Sequence, residues 1–358
     1  MRAIVVAGGT GGHIYPAIAI INKIKEKEKD SEILYIGTTD RMEKDIVPKF
    51  GIAFVGLEMA GLNRKNIFKN VNVLRKYFKA VEDAKIEIKK FKPDIVIGVG
   101  GYITLPVLVA AHTLGYKTII HEQNSIPGLS NKLLSRVVDC VCVSLPNSIN
   151  LFKNKNVVYT GNPRSEEIIS VKKISKESFG LDGNKKLVII VMGSLGSSTM
   201  TKKLKDLIPA FKGKAYQVVV VTGKGYIDNY NDVVALDNVK IVPYLDNMIN
   251  VMKDADLIIS RAGASFIAEI TAIGLPAILV PSPYVTHNHQ YMNAKELEDL
   301  GACTIITEDE FSKDSLILEI DRLLNDSKAY NNMREASKKL GVLDSATKIY
   351  AEIRKLIG

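Results

Sequence analysis

The feature that most constrains this chain is a series of short apolar segments in which Val and Ile follow one another without polar alternation. AIVVA, EILYIG, DIVIGVG, KTIIHE, CVCVS and VVYTG come first, then KLVIIVMG, YQVVVVTG, VKIVPY, DLIISRAG, PAILVPS and ACTII. A strand with one wet face alternates apolar and polar residues, so unbroken runs belong to strands covered on both faces. The periodic stretches between them then act as crossover helices, which makes the units βαβ and the sheets parallel. At 358 residues the chain exceeds the ~250–300 at which single cores stop growing, and two α/β sheets are expected. The turn-rich YTGNPRSEEIISVKK (159–173) separates them, giving domains 1–161 and 162–343. A final helix in 344–358 carries Ala346, Ile349, Tyr350, Ile353, Leu356 and Ile357 on roughly one face, and is expected to pack back on the N-terminal domain.

Composition narrows the chemistry. The formal charge is +9 and the pI about 9.1, which favours an anionic partner. There is no Trp and no run of basic and aromatic residues typical of nucleic-acid readers, so nucleic acid is the weakest choice. Three cysteines do not make a disulfide framework, which favours a reducing cytoplasm. Cys140 and Cys142 are expected on opposite faces of their strand. The longest apolar passage, IVIGVGGYITLPVLVAA (95–111), is broken by three glycines and a proline and reads as strand, loop and helix rather than as a membrane span.

Two loops join an apolar run to a helix. AGGTGGHIYP (7–16) fails both phosphate fingerprints: counted from Gly9, the sixth position of G-x-G-x-x-G is Ile14, and no Gly-Lys-Ser/Thr follows. That argues against a nicotinamide or Walker-type site. Glycines between a buried strand and a helix still let backbone N–H groups approach an anion at the positive helix end. His13 sits at that mouth, as a helix cap or as a catalytic imidazole. In the second half GSLGSST (193–199) repeats the arrangement before an amphipathic stretch.

The ordered set GGTGGHIYP, GGYITLP, HEQN, GNPRS, GSLGS, SRAGA with Glu269, and GLPAILVPSP followed by HNHQYMNA resembles the MurG family over nearly the whole chain. These are the glycosyltransferases that add N-acetylglucosamine to lipid I in peptidoglycan synthesis. The resemblance implies the GT-B fold, two Rossmann-like domains facing across a cleft, and an inverting transfer from UDP-GlcNAc to the C4 hydroxyl of the acceptor sugar without metal or other cofactor. On the donor side it implies contacts from Thr10, Gly11, Gly12, Asn124, Arg164, Ser194, Tyr244, Leu245, Arg261, Gly263, Ala264, Glu269 and Gln290. Glu269 would accept from the ribose hydroxyls. On the acceptor side it implies Gly9, His13, Tyr102, Gln123 and Asn124, with the first glycine loop leaving room for the lipid I diphosphate. The base is His13 or Glu122. Where some members have two glutamines in tandem, this chain has His289–Gln290.

The resemblance also implies peripheral attachment to the cytoplasmic membrane face, and leaves room for other cell-wall synthesis proteins as partners. Segment 61–92 fits: ten basic residues against three acids, with Ile67, Val71, Leu74, Phe78, Val81 and Ile88 at helical spacing. Such a stripe is ordinarily a core face; its charge, with Leu62, Phe68 and Tyr77 off the main stripe, suits an anionic lipid surface. Asp254-Ala-Asp256 mimics the D-x-D of metal-dependent transferases, but reads as a helix end and strand entry. His287-Asn-His289 lacks a third ligand at metal spacing. A glycolipid synthase or a UDP-GlcNAc 2-epimerase of the same fold is the alternative.

Overall fold

The computed structural model describes all residues except 62–69, 155, 194–196, 224 and 246. It divides into two compact units, Met1–Arg164 with Asp344–Gly358, and Ser165–Leu343.

In the first unit β1 (Arg2–Val6), α1 (Gly11–Lys27), β2 (Glu32–Thr38), α2 (Glu43–Ile46), β3 (Ala53–Leu57), α3 (Asn70–Phe91), β4 (Ile95–Gly98), α4 (Thr104–Thr113), β5 (Lys117–Glu122), α5 (Leu129–Leu134), β6 (Cys140–Val143), β7 (Val157–Tyr159) and the start of α6 (Arg164–Ser170) follow in order. The seven strands form one parallel sheet in the order β3-β2-β1-β4-β5-β6-β7. Side-chain alternation divides the strand residues between two cores. Ile4, Val6, Val96, Ile120 and Val141 join Ala84 and Ile88 of α3 and Val107 and Leu108 of α4 on one face. Val5, Tyr35, Ile97 and Ile119 join Ile14, Ile18 and Ile21 of α1 on the other.

Two expectations change. Cys140 and Cys142 lie in the same core, with Val141 and Val143 in the opposite one, because residues two apart on a strand share a face. All three cysteines are buried and free. The sheet also has a strand beyond the six apolar runs. Among the described residues β3 pairs only with β2, and as an edge strand with Phe54, Val55 and Gly56 half-buried it needs no long Val/Ile run.

The second unit contains β8 (Leu187–Val191), α7 (Ser198–Leu207), β9 (Gln217–Val221), β10 (Val239–Val242), α8 (Met248–Met252), β11 (Leu257–Ser260), α9 (Ala264–Ile273), β12 (Ala277–Leu279), α10 (His289–Asp299), β13 (Thr304–Ile305), α11 (Lys313–Asn325) and α12 (Ser327–Leu340). Its six strands run parallel in the order β10-β9-β8-β11-β12-β13. Val188, Ile190, Val218, Val220 and Ile259 pack under Met200 and Leu204 of α7 and Leu316 and Ile320 of α11.

At the amino ends of the strands an aspartate pins the register. Asp94, Asp139 and Asp256 each precede a strand and accept the backbone N–H of the neighbouring one, from Arg2, Thr118 and Leu187, at 2.7, 2.7 and 2.8 Å. Asp256 is the second carboxylate of the D-x-D lookalike. The first, Asp254, accepts from Lys176 N at 2.8 Å and pairs with Lys173 at 2.5 Å. Burial pushes its acidity the other way, but these partners hold its carboxyl below the usual value.

The last helix, α13 (Ser345–Ile357), belongs to the first unit. Ile349 and Ile353 enter the core beneath α1, and Glu28 at the end of α1 accepts from Tyr350 Oη at 2.9 Å and Arg354 Nη1 at 3.1 Å. Ile353 is fully buried. Ile353→Ala should therefore destabilise the first unit by about 2–5 kcal/mol, read as an earlier urea midpoint for that unit while the second unit's transition stays in place.

Candidate functional site

β1 and β4 are neighbours in the first sheet, and each ends at its carboxyl edge in a glycine pair, where parallel sheets place their ligands. Gly8 N donates to Gly100 O at 3.2 Å, so the two loops lie against one another. Gly9, Gly100 and Gly101 have φ of +94°, +110° and +89°, a region side chains disfavour. A Cβ on Gly100 would fall 2.4 Å from His13 Cδ2, and one on Gly101 would fall 2.4 Å from Gly8 O. The His13 ring thus lies on the Gly100 backbone, and only glycine permits it. Thr10, extended at φ −142°, is the N-cap of α1; its carbonyl accepts from His13 N at 3.0 Å and Ile14 N at 3.2 Å. Gly11, Gly12 and His13 form the first turn, the positive end of a 17-residue helix.

Further along the same edge, β5 ends in Glu122. Its carboxylate is 2% exposed. Oε1 accepts from Asn124 N and Asn124 Nδ2 at 3.0 and 3.1 Å, and Oε2 from Gly128 N and Asn131 Nδ2, both at 2.9 Å. Four donors occupy the carboxylate, which ties the turn after HEQN to α5. Gln123 turns inward rather than toward a ligand: buried, its Nε2 donates to Val99 O at 2.8 Å and lies 3.0 Å from His121 Nδ1. Tyr102 is half-buried beside the loops, its Oη accepting from Arg41 Nε at 3.3 Å. Arg164, at the start of α6, stands over the Tyr15 ring at 5.7 Å.

In the second sheet the expected residues again fall at carboxyl ends. Ser194 lies outside the described residues, and Ser197 is the N-cap of α7. Tyr244 and Leu245 follow β10, with Tyr244 exposed. Arg261 follows β11, Gly263 is the N-cap of α9, and Ala264 is its first residue. Glu269, in the second turn of α9, is 9% exposed. Gln290 Oε1 accepts from Ser282 N at 2.8 Å, and His289 Nδ1 lies 2.8 Å from Thr286 O.

Arg261 departs from the expected picture. Its guanidinium is 8% exposed and engaged inside the unit: Nη2 meets Glu308 Oε2 at 2.8 Å and Ser197 Oγ at 3.1 Å, and Nη1 donates to Val280 O at 3.1 Å. With its charge matched by Glu308, its work is to lock the start of α7 to the ends of β11 and β12. The backbone N–H groups at the start of α9 remain as the positive element there.

Four residues of this architecture went unread in the sequence: Glu43, His121, Asn131 and Glu308. Glu43, His121 and Glu308 each meet a partner more than 30 residues away in the chain, and Asn131 reaches back nine residues to Glu122. His121 is 1% exposed, with Nε2 3.0 Å from Gly161 O and Nδ1 facing Gln123 Nε2, a pattern that fits the neutral tautomer protonated on Nε2. Burial, partly offset by the Gly161 carbonyl and reinforced by the charge of His13, lowers its pKa to about 4.

Two parallel-sheet Rossmann-like units, each with a glycine-containing loop entering a helix, define the GT-B fold. The chain matches the glycosyltransferase family 28 N-terminal domain over residues 3–143 and the glycosyltransferase family 28 C-terminal domain over residues 187–349. It is 44% identical over 362 aligned positions, covering 100% of both chains, to UDP-N-acetylglucosamine–N-acetylmuramyl-(pentapeptide) pyrophosphoryl-undecaprenol N-acetylglucosamine transferase 1 of Bacillus cereus. Among solved structures it superposes on MurG of Acinetobacter baumannii with a TM-score of 0.80 at 26% identity, covering 99% of each chain. A putative UDP-N-acetylglucosamine 2-epimerase from Listeria monocytogenes shares the fold at a TM-score of 0.74 and 13% identity, over 99% of this chain and 96% of that one. The chain belongs to the MurG family of glycosyltransferases.

The buried neutral His121 sets a pH dependence. Its folded pKa of about 4 lies below the unfolded value near 6.5, so the unfolded chain binds more protons between the two. Stability is therefore held above about pH 6.5 and lost as pH falls toward 4, by on the order of 3 kcal/mol in all. Urea midpoints followed from pH 7 to 4 should fall more steeply for the wild type than for His121→Gln.

Proposed function

We propose that this chain transfers N-acetylglucosamine from UDP-GlcNAc to the C4 hydroxyl of the N-acetylmuramyl sugar of lipid I, giving lipid II with inversion at the transferred carbon. Full-length identity of 44% to a curated transferase of that name is the observation that carries the reading. It also favours this enzyme over a glycolipid synthase, and over an epimerase, whose likeness here is one of fold.

The step has two reacting bonds. The acceptor oxygen attacks the anomeric carbon, the bond from that carbon to the UDP oxygen breaks, and UDP leaves with the electron pair while a base takes the hydroxyl proton. His13 is assigned as that base. It stands on the first turn of α1 against the second glycine loop, whereas Glu122, the rival, already accepts from four N–H donors. The glycine loops Gly8–Gly12 and Gly100–Tyr102, with the backbone beside Asn124, receive the acceptor diphosphate. In the second unit the start of α9 at Gly263–Ala264 and the loop entering α7 receive the UDP diphosphate, Glu269 the ribose, Tyr244–Leu245 the uracil and Gln290 the sugar. Helix dipoles and backbone amides stabilise the leaving group in place of a metal ion.

Transfer of labelled GlcNAc from UDP-GlcNAc to a short-chain lipid I analogue should therefore proceed with EDTA present. Strict dependence on added magnesium or manganese would overturn the metal-free reading. In the same assay His13→Ala should lower kcat by roughly 10²–10⁴-fold, the range for a general base, with UDP affinity nearly unchanged. A near-normal kcat at saturating acceptor would pass the role to Glu122.

Attachment to an anionic membrane surface is the second part of the proposal. α3 splits into two regimes. In its later half Val81, Ala84 and Ile88 are core, but in its first half Val71, Leu74 and Phe78 are 65%, 55% and 60% exposed. The stripe, ordinarily a core face, is therefore solvent-facing over Val71–Phe78, next to Arg75, Lys76 and Lys79; Leu62, Ile67 and Phe68 lie outside the described residues. Clustered large apolar groups rimmed by cations suit insertion among acyl chains beneath anionic headgroups. No helix among the described residues is long and apolar enough to cross a membrane. Leu74→Asp with Phe78→Asp should abolish most co-sedimentation with phosphatidylglycerol vesicles, and leave UDP binding intact.

A further inference from the structure

We propose that Glu43 is a positioning residue of the acceptor site, whose buried carboxylate sets the first glycine loop and, through it, the His13 imidazole. This rests on the assignment of that loop to the acceptor.

Glu43 is the first residue of α2, just after β2, and is 0% exposed. Its oxygens serve two strands. Oε1 accepts from Thr38 N at 3.0 Å and Thr38 Oγ1 at 2.6 Å, and Oε2 accepts from Gly9 N at 3.1 Å. Space for the side chain is cut from the neighbouring backbone. A Cβ on Gly8 would lie 2.7 Å from Glu43 Oε1, and one on Gly37 would lie 2.6 Å from Glu43 Cγ. Glycines at the ends of β1 and β2 thus form the slot in which the carboxylate sits.

The consequence runs through the loop. Gly8 N is held by Gly100 O and Gly9 N by Glu43, so two successive amides are fixed from opposite sides while Gly9 turns through φ +94°. Immediately beyond, Thr10 O receives His13 N and starts α1. The carboxylate therefore fixes where the first turn begins and where the His13 ring meets Gly100. A buried carboxylate accepting three hydrogen bonds is a stiff restraint, because losing any one leaves a buried donor unsatisfied.

Glu43→Gln separates the roles. Three donors converge on the two oxygens, and an amide supplies one acceptor oxygen plus an NH2 group, so Gln can no longer hold both Thr38 N and Gly9 N, and the bridge from β2 to the loop is broken. Thr38→Val is the companion: it removes the hydroxyl donor to Oε1 on the side away from the loop and leaves the Gly9 bond in place. Assayed well below its unfolding temperature, Glu43→Gln should lower kcat and kcat/KM for the lipid I analogue on the order of tenfold to hundredfold, the cost of a small misplacement. The KM for UDP-GlcNAc should not move. Thr38→Val should lose stability yet transfer nearly as the wild type. The His13 ring resonance, assigned by its disappearance in His13→Gln, should shift in Glu43→Gln and hold in Thr38→Val. Should Glu43→Gln fail to fold, Glu43→Asp, which is too short to span both partners, takes its place in the same comparisons.

Wild-type kcat and an unmoved His13 resonance in folded Glu43→Gln would overturn the proposal, as would parallel losses in both variants that follow stability alone. The resonance is read without substrate. If the wild type itself does not transfer to lipid I, the acceptor assignment fails while the link from Glu43 to His13 is still decided.

Discussion

The hydrogen bond from Gly8 to Gly100 is the contact around which the first unit's site is arranged. Neighbouring parallel strands diverge at their carboxyl ends unless something holds their loops together, and here the backbones themselves do so at a separation no Cβ would allow. The close approach brings two glycine loops into one surface, places the first turn of α1 beside it, and leaves the His13 ring resting on peptide rather than on side chain. Any substitution at Gly100 or Gly101 meets either the imidazole or the Gly8 carbonyl, besides a disfavoured φ. Space and conformation are both spoken for.

Carboxylates do most of the remaining positioning, and they divide by position along the strands. At the amino ends Asp94, Asp139 and Asp256 fix register by accepting a neighbour's N–H. At the carboxyl ends Glu43, Glu122 and Glu308 fix loops, the first two through backbone amides and the third through Arg261. The two most deeply buried, Glu43 and Glu122, are met by three and four donors, which is the condition for burying a carboxylate at all. The chemistry is then left to groups with fewer structural duties.

Much of this was legible in the sequence because it is written locally. Unbroken Val/Ile runs mark twelve of the thirteen strands among the described residues, yet the edge strand Ala53–Leu57 escaped, since half-burial needs no such run. The glycine loops were legible as strand-to-helix junctions with an imidazole at the mouth. Their supports were not: Gly9 meets a carboxylate 34 residues away, His121 a carbonyl 40 away, and Arg261 a carboxylate 47 away. Nothing near Glu43 in the chain distinguishes it from a solvated acid in a helix start. The orientation of Gln123 was likewise hidden, because HEQN does not say which of its side chains turns into the wall. The stripe of α3 was legible as a stripe, but where it stops being core depends on how far the sheet beneath extends.

Because α13 lies beneath α1 while residues 165–343 form a unit of their own, the second unit is an insertion within the first. During synthesis it is a continuous stretch that can close on itself as soon as it has emerged, whereas the strip of the α1-side core that α13 covers stays open until Ile349 and Ile353 arrive. The first unit is thus begun first and finished last, and the ribosome must hold an incomplete domain open for the time it takes to make about 180 residues at ~5–20 per second.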